Sequence, residues 1–183
     1  MPPIYLKLME KNINNKLKIG FSIGDFNGIG PEILLKAFYN KNLFEVCVPI
    51  VFSSRYILDY YKNKFSIDID INDQNNNIKE NQINCFSNEK FDSNILPGQV
   101  NADAGRYAES SLRESIKYFK KGFIDSLITL PISKINIQSN TFQFPGHTEF
   151  LESEFTNEKS MMVMYSKDMI IGFVTGHVPL TEV

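Results

Sequence analysis

The fold class follows from residues 18–31, which read KIGFSIGDFNGIGP. Residues 18–23 are mostly apolar and predict a short strand. Three glycines in residues 24–30 predict a tight turn, because glycine adopts backbone conformations that are closed to other residues. Pro31 suits the first turn of a helix, where its missing N–H costs no hydrogen bond. A strand that enters a helix through such a turn is typical of α/β folds.

The rest of the chain continues this alternation. The first helix is expected to bury the apolar stripe Ile33, Leu34, Ala37 and Phe38. Further elements are predicted along the chain: a buried strand at 44–52, a helix at 53–64, small strands and loops at 65–96, a helix at 103–121 between a cap at Asn101 or Asp103 and Gly122, a strand at 123–130, and a hairpin at 161–165 and 169–175. Residues 1–17 are expected to be a polar leader, and residues 18–183 an α/β portion.

Composition and charge restrict the classes of function. The chain has 183 residues, of which 43% are hydrophobic and 22% charged, and this is typical of a globular protein. Its net charge of -2 does not favour nucleic acid as a partner. No apolar run approaches the ~20 residues that span a bilayer, so a membrane is not expected either. Cys47 and Cys85 are predicted to be reduced thiols of a cytoplasmic protein.

The glycine loop, residues 24–30, is the first candidate ligand site. Gly28 and Gly30 lie at a helix N-terminus, whose unpaired N–H groups are available to an anion. The loop is neither the dinucleotide fingerprint G-x-G-x-x-G nor a Walker A loop. The alternative is a tight connection without a ligand. Lys134, after the strand at 123–130, is a candidate anion contact or equally a solvated helix residue.

Both histidines lie in segments that suit chemistry. His147 belongs to FPGHTEF (144–150), where an imidazole beside the Thr148 hydroxyl suits binding of a polar or anionic substrate. The alternative is a helix start capped by Thr148, with His147 on the surface. His177 follows an apolar strand, and α/β sheets bind ligands beyond the carboxyl ends of their strands. Its alternative role is structural, since two histidines do not complete a zinc site.

Taken in order, four segments resemble the 4-hydroxythreonine-4-phosphate dehydrogenases of pyridoxal phosphate (vitamin B6) biosynthesis. Residues 23–33 are similar to the family motif G-D-P-A-G-I-G-P-E-I, residues 127–134 to T-G-P-I-N-K, and residues 161–180 to M-M-L…V-T-T-H-V-P-L. Residues 144–150 contain P-G-H-T-E-F unchanged. The departures are Phe26-Asn27 for Pro-Ala, Leu130 for Gly, which narrows the approach there, and Gly176 for Thr.

The resemblance implies a two-domain α/β fold of the isocitrate/isopropylmalate dehydrogenase type, and we expect this chain to be its N-terminal half. It implies NAD- and metal-dependent oxidation of 4-phosphooxy-L-threonine to a β-keto acid that loses carbon dioxide, with zinc, magnesium or cobalt as the metal. His147 and Thr148 would contact substrate, and His177 would be one of three histidine ligands. The family site lies at a homodimer interface. No catalytic residue is assigned here, and the chain alone is expected to be inactive.

Two alternatives stay open at this point. A paralogous dehydrogenase of another 4-phosphorylated hydroxy acid, of the threonate or erythronate type, would carry the same motifs, because these contact the part that such substrates share. The second alternative is a non-catalytic fragment that kept the glycine loop. An incomplete sheet would expose apolar strands at 46–52, 123–130 and 169–175 and favour aggregation.

Overall fold

The computed structural model describes residues 16–73, 77–87, 90–155, 160–175 and 181. The chain falls into two compact units, Met1–Gln143 and Phe144–Val183. The predicted leader, residues 1–17, lies outside the described residues except for its last two positions.

The first unit is built on a parallel sheet of the strands β1 (Leu17–Ser22), β2 (Cys47–Phe52), β3 (Ile71–Asn72), β4 (Ile83–Phe86) and β5 (Ser126–Thr129). The order of these five strands in the sheet is β3-β4-β2-β1-β5. Its helices are α1 (Gly30–Tyr39), α2 (Leu43–Val46), α3 (Arg55–Lys64) and α4 (Ala102–Lys120). Strands that alternate with helices around a parallel sheet confirm the α/β class.

Strand β1 is an interior strand of the sheet and leads into the glycine loop. It pairs with β2 on one side, where Ser22 faces Phe52, and with β5 on the other, where Ser22 faces Thr129. The chain therefore winds outward from β1 in two directions. In open α/β sheets the crevice beyond such a reversal point is the usual ligand site, and the glycine loop begins there.

Helix α1 buries a different face from the one predicted. Leu34 and Phe38 are buried as expected, but Leu35 is buried too, whereas Ile33 and Ala37 are exposed. The predicted stripe was therefore wrong at two of its four positions. Pro31, Leu34, Leu35 and Phe38 follow an i, i+3, i+4, i+7 spacing, which is an equally good helical face. Leu34 and Leu35 both pack into the large buried cluster, and this packing determines which face of α1 is buried.

Several element boundaries also differ from the prediction. The strand predicted at 44–52 begins at Cys47, because residues 43–46 form α2. All residues of this strand are buried, so the exposed strand expected at 46–52 for an incomplete sheet is not seen. The strand predicted at 123–130 is shorter in the structure. Helix α4 is confirmed, with Asn101 as its cap: the Asn101 side chain accepts a hydrogen bond from the Ala104 N–H at 2.8 Å. Gly122 follows it at φ +69°.

The second unit contains helix α5 (His147–Glu154) and the strands β6 (Val163–Tyr165) and β7 (Ile170–Gly172). The two strands are antiparallel, with Val163 opposite Gly172. The Ser166 N–H donates to the Met169 carbonyl at 2.8 Å and closes the turn between them. This confirms the predicted hairpin. Its residues are exposed along both strands, as expected for the segment 169–175.

Candidate functional site

The glycine loop is packed tightly against the segment that follows β5. The Asp25 N–H donates to the Pro131 carbonyl oxygen at 2.9 Å. A Cβ on Gly24 would lie 2.2 Å from that same oxygen, and Gly24 has φ +70°. A Cβ on Gly30 would lie 2.7 Å from the Ile23 carbonyl oxygen. These glycines are therefore required by close backbone packing, whether or not a ligand binds.

Polar groups of the loop are also used within the protein. The Gly28 N–H donates to the Asp25 carbonyl at 3.0 Å, and the Gly98 N–H donates to the Asn27 carbonyl at 2.8 Å. The Asn27 Oδ1 accepts from the Leu96 N–H at 2.7 Å. This arrangement favours the tight connection over an open anion cradle. Anion contacts at Gly28 and Gly30 stay a prediction.

The departures from the family motif have structural roles here. Phe26 is fully buried, and its carbonyl oxygen accepts a hydrogen bond from the Tyr61 hydroxyl at 2.7 Å. Leu130 is buried, and its Cβ lies 3.2 Å from the position that a Cβ on Gly30 would occupy. The Leu130 side chain occupies space beside the glycine loop, so the approach to the loop is narrowed there, as predicted.

A carboxylate that sequence reasoning did not single out connects the loop to the turn that carries Lys134. The buried Asp25 accepts a hydrogen bond at Oδ2 from the Asn136 Nδ2 at 2.8 Å. Because a carboxylate only accepts, this bond fixes which end of the Asn136 amide faces Asp25. Lys134 lies in the same turn and is exposed. Asp25 was visible inside the glycine motif, but its partner is 111 positions away.

The His147-Thr148 pair forms the first turn of α5. Gly146 is the N-cap, and no side chain caps the helix. The alternative in which Thr148 caps the helix is therefore wrong, although a helix does start here. His147 is not a surface residue either: its Nε2 is buried and has no hydrogen-bond partner in the described part of the chain. Burial lowers the pKa of His147 below 6.5, which favours a neutral imidazole that can both donate and accept a hydrogen bond.

A cavity of about 340 Å³ lies within the second unit, between α5 and the hairpin. Its wall consists of Thr148, Glu149, Glu152, Ser160, Met162, Phe173, Val174 and Thr175. The volume falls in the range of ligand pockets, which is ~300–1,000 Å³. Thr148, a predicted substrate contact, thus borders a cavity of suitable size. Glu152 was not predicted as a site residue, although its i, i+4 spacing from Thr148 puts both residues on one face of α5.

His177, the predicted metal ligand, lies outside the described residues. Thr175 in the cavity wall precedes it by two positions. The residues that the structure describes contain no group of three His, Cys, Asp or Glu side chains that could hold a metal ion. Within that same part of the chain, no helix is long and apolar enough to cross a membrane.

The parallel sheet and the helices that alternate with its strands define an α/β protein. Residues 45–183 match the family described as "Pyridoxal phosphate biosynthetic protein PdxA", and the chain belongs to this family. The resemblance read from the motifs is therefore confirmed.

Named relatives agree with this assignment. A 4-hydroxythreonine-4-phosphate dehydrogenase of Bacteroides thetaiotaomicron is 32% identical over 92% of this chain and 47% of its own length. A relative from Oceanobacillus iheyensis that bears the name of a D-threonate 4-phosphate dehydrogenase is 27% identical over 93% of this chain and 53% of its own. The chain spans about half the length of the curated relatives it matches.

A solved structure supports the fold. The crystal structure of a 4-hydroxythreonine-4-phosphate dehydrogenase from Burkholderia phymatum superposes with a TM-score of 0.81 at 22% identity, over 92% of this chain and 52% of that one. The α/β architecture is thus shared with about half of a dehydrogenase of this family. Because the homologues are dehydrogenases by name, the family is one of oxidoreductases.

Proposed function

We propose that this chain takes part in the oxidation of 4-phosphooxy-L-threonine, with NAD as the hydride acceptor and with a divalent metal, in the cytoplasm and within a homodimer whose site lies at the interface. The product would be a β-keto acid that decarboxylates to 3-amino-2-oxopropyl phosphate. Family membership supports the reaction class. The observation that carries the proposal is the FPGHTEF segment, which starts α5 and puts Thr148 in a cavity wall.

Thr148 and His147 would bind the polar end of the substrate. The Thr148 side chain supplies a hydroxyl that can donate and accept. The His147 Nε2 is buried and has no hydrogen-bond partner among the described residues, and an unpaired buried nitrogen is costly unless a ligand or water satisfies it. Burial lowers the pKa of this imidazole, so it would bind as a neutral group.

The charges of the cavity orient the substrate. Glu149 and Glu152 lie in its wall, and two carboxylates disfavour a phosphate dianion close by. The substrate would therefore place its hydroxyl and amino end in the cavity and its phosphate outside it. Lys134 and the N–H groups near Gly28 and Gly30 belong to the first unit and stay separate candidate anion contacts of this chain.

A divalent metal would supply Lewis-acid stabilisation of the substrate oxygen during hydride loss to NAD. His177 is the proposed ligand on this chain. The described residues do not assemble a set of three ligands, so we derive no step through the metal.

Oxidation of D-threonate 4-phosphate is the second candidate. It is favoured by the name of the Oceanobacillus relative, which matches almost the whole chain. The two substrates differ at one substituent, an amino group against a hydroxyl. The pair Glu149 and Glu152 would interact favourably with an ammonium group, which supports the amino substrate.

Calorimetric titration tests the proposal. We expect 4-phosphooxy-L-threonine to bind more tightly than D-threonate 4-phosphate and far more tightly than inorganic phosphate. Thr148→Val should weaken binding about tenfold, which corresponds to ~1.4 kcal/mol for one hydrogen bond. Ser153→Ala is the matched control, because that hydroxyl on the same helix is bonded to the Phe150 carbonyl at 2.7 Å. Equal affinities for Thr148→Val and the unchanged chain would contradict the proposed site.

A further inference from the structure

A small polar cavity lies in the first unit, at the carboxyl ends of two neighbouring strands. Ser53 directly follows β2 and Ser87 directly follows β4, and both residues line the cavity. The two strands are paired in parallel, so their carboxyl ends lie side by side. The rest of the polar wall comes from one face of α4, at an i, i+3, i+4, i+7 spacing, and consists of Tyr107, Ser110, Ser111 and Glu114.

The cavity has room for one small occupant. About 10 Å³ is open to the centre of a water-sized sphere, and a single water molecule needs ~10–15 Å³ by this measure. A phosphate group or a nucleotide ring is therefore too large. A water molecule and K⁺ are close to each other in size, so the chemistry of the wall decides between them.

Two buried hydroxyl groups of the wall present lone pairs to the cavity rather than protons. The Ser111 hydroxyl donates its proton to the Phe52 carbonyl at 2.5 Å and accepts from the Ile23 N–H at 2.9 Å. The Ser53 hydroxyl donates to the Ser54 carbonyl at 3.3 Å. A serine hydroxyl has one proton and two lone pairs, so each oxygen retains a lone pair for an occupant. These two oxygens can coordinate a cation but have no proton for an anion.

The wall also carries a negative charge. Glu114 is the only charged side chain among the described residues that line the cavity. The Ser54 N–H, at the start of α3, donates to the Tyr107 hydroxyl at 2.6 Å and is not available to an anion. K⁺ exchanges its hydration shell for neutral protein oxygens, whereas Mg²⁺ usually keeps several waters, for which there is no room. The wall therefore suits a monovalent cation.

We propose that this cavity binds a monovalent cation of the size of K⁺, with Glu114 as the charged ligand and Ser53 and Ser111 as neutral oxygen ligands. The bound ion links α4 to the carboxyl ends of β2 and β4. Through Ser111 it also supports Ile23, the residue that precedes the glycine loop. The ion thus stabilises the first unit next to that loop, and this role is independent of the proposed reaction.

Urea unfolding in chloride salts of equal concentration tests the proposal. A ligand of the folded state at ten times its dissociation constant shifts the unfolding equilibrium about tenfold. We expect KCl and RbCl to stabilise the chain by about this factor relative to LiCl and choline chloride, because Li⁺ is too small for the cavity and choline is too large. Equal stability in all four salts would overturn the proposal.

Two variants separate the ion site from a general effect of salt. Glu114→Gln keeps the size of the side chain but removes its charge, and it should weaken K⁺ binding at least ~tenfold. Asp103→Asn is the matched control, because it removes one carboxylate from the same helix outside the cavity wall. It should keep the full effect of KCl. If both variants kept this effect, or both lost it, the proposed site would be wrong.

Thallium(I), a heavy ion that replaces K⁺, identifies the occupant directly. Crystals of the chain soaked in thallium(I) acetate should show an anomalous peak between Glu114 and Ser111. A water molecule there without anomalous signal would show that the cavity holds only water, and the proposal would fail. Neither experiment involves substrate, NAD or a divalent metal, so each result leaves the test of the proposed function unaffected.

Discussion

Replacing Gly24 by alanine tests whether the glycine loop is held by its packing against the segment after β5. Gly24 has φ +70°, and a Cβ there would meet the Pro131 and Leu130 carbonyl oxygens at 2.2 and 2.7 Å. The left-handed conformation costs a non-glycine residue ~1–2 kcal/mol. Relieving the clash must move the two backbones apart and weaken the hydrogen bond from the Asp25 N–H to Pro131, which adds ~0.5–1.5 kcal/mol. We expect a total loss of ~1.5–3.5 kcal/mol in the free energy of unfolding.

Two further glycines separate the contributions. Gly98 has φ +82° but no atom within 4 Å of its Cβ position, so Gly98→Ala should cost only the conformational ~1–2 kcal/mol. A Cβ on Gly105, inside helix α4, would lie 1.8 Å from the Asn136 carbonyl oxygen without a positive φ. Gly105→Ala should therefore destabilise the fold, although alanine favours a helix over glycine by ~1 kcal/mol.

Urea unfolding, followed by far-ultraviolet circular dichroism, measures all three variants by linear extrapolation. We expect Gly24→Ala to be clearly less stable than Gly98→Ala, because only the first variant adds a clash to the conformational cost. If the two variants lost the same stability, the close approach of the loop to Pro131 would not be a feature of the protein in solution. A Gly105→Ala variant more stable than the unchanged chain would refute the corresponding packing of α4.

Three other perturbations have defined outcomes. Ser111→Ala should cost ~1–3 kcal/mol in urea unfolding, because the buried hydroxyl accepts from the Ile23 N–H at 2.9 Å and donates to the Phe52 carbonyl at 2.5 Å. Burial raises the pKa of Cys85 to about 12, so this thiol should react with a disulfide reagent only after unfolding. Because the thiol of the unfolded chain ionises first as the pH rises above 9.0, the fold should lose stability there. Burial lowers the pKa of His147 in the folded chain, so the unfolded state binds a proton first as the pH falls through 6.5. Acidification should therefore lower the free energy of unfolding, and His147→Asn should reduce this loss of stability.

Local patterns were sufficient for several elements. Helix α4 was predicted within one residue at each end, because its cap at Asn101, its apolar spacing and Gly122 are all encoded within a few positions. The hairpin at the end of the second unit was predicted for the same reason. The His147-Thr148 segment was also identified from its residues, and the structure starts a helix there.

The buried face of α1 could not be chosen from its sequence. Two sets of apolar residues had acceptable spacing, and contacts with distant strands selected the one that contains Leu35. The start of β2 was missed because residues 43–46 are apolar enough for a strand but form a helical turn. In the candidate site, Glu152 carries no motif and was placed in the cavity wall by the packing of α5 beside the hairpin.

By itself the sequence determined the α/β class, the family and the segments that carry its motifs, because these depend on residue order over short distances. Only the tertiary structure decided what those segments do. The glycine loop is closed by Pro131 and tied through Asp25 to Asn136, a hydrogen bond between residues 111 positions apart. The hairpin was predicted from its residues, but the cavity between it and α5 depends on packing that those residues do not encode. Contacts between residues far apart in sequence are set by the folded topology, and local periodicity carries no record of them.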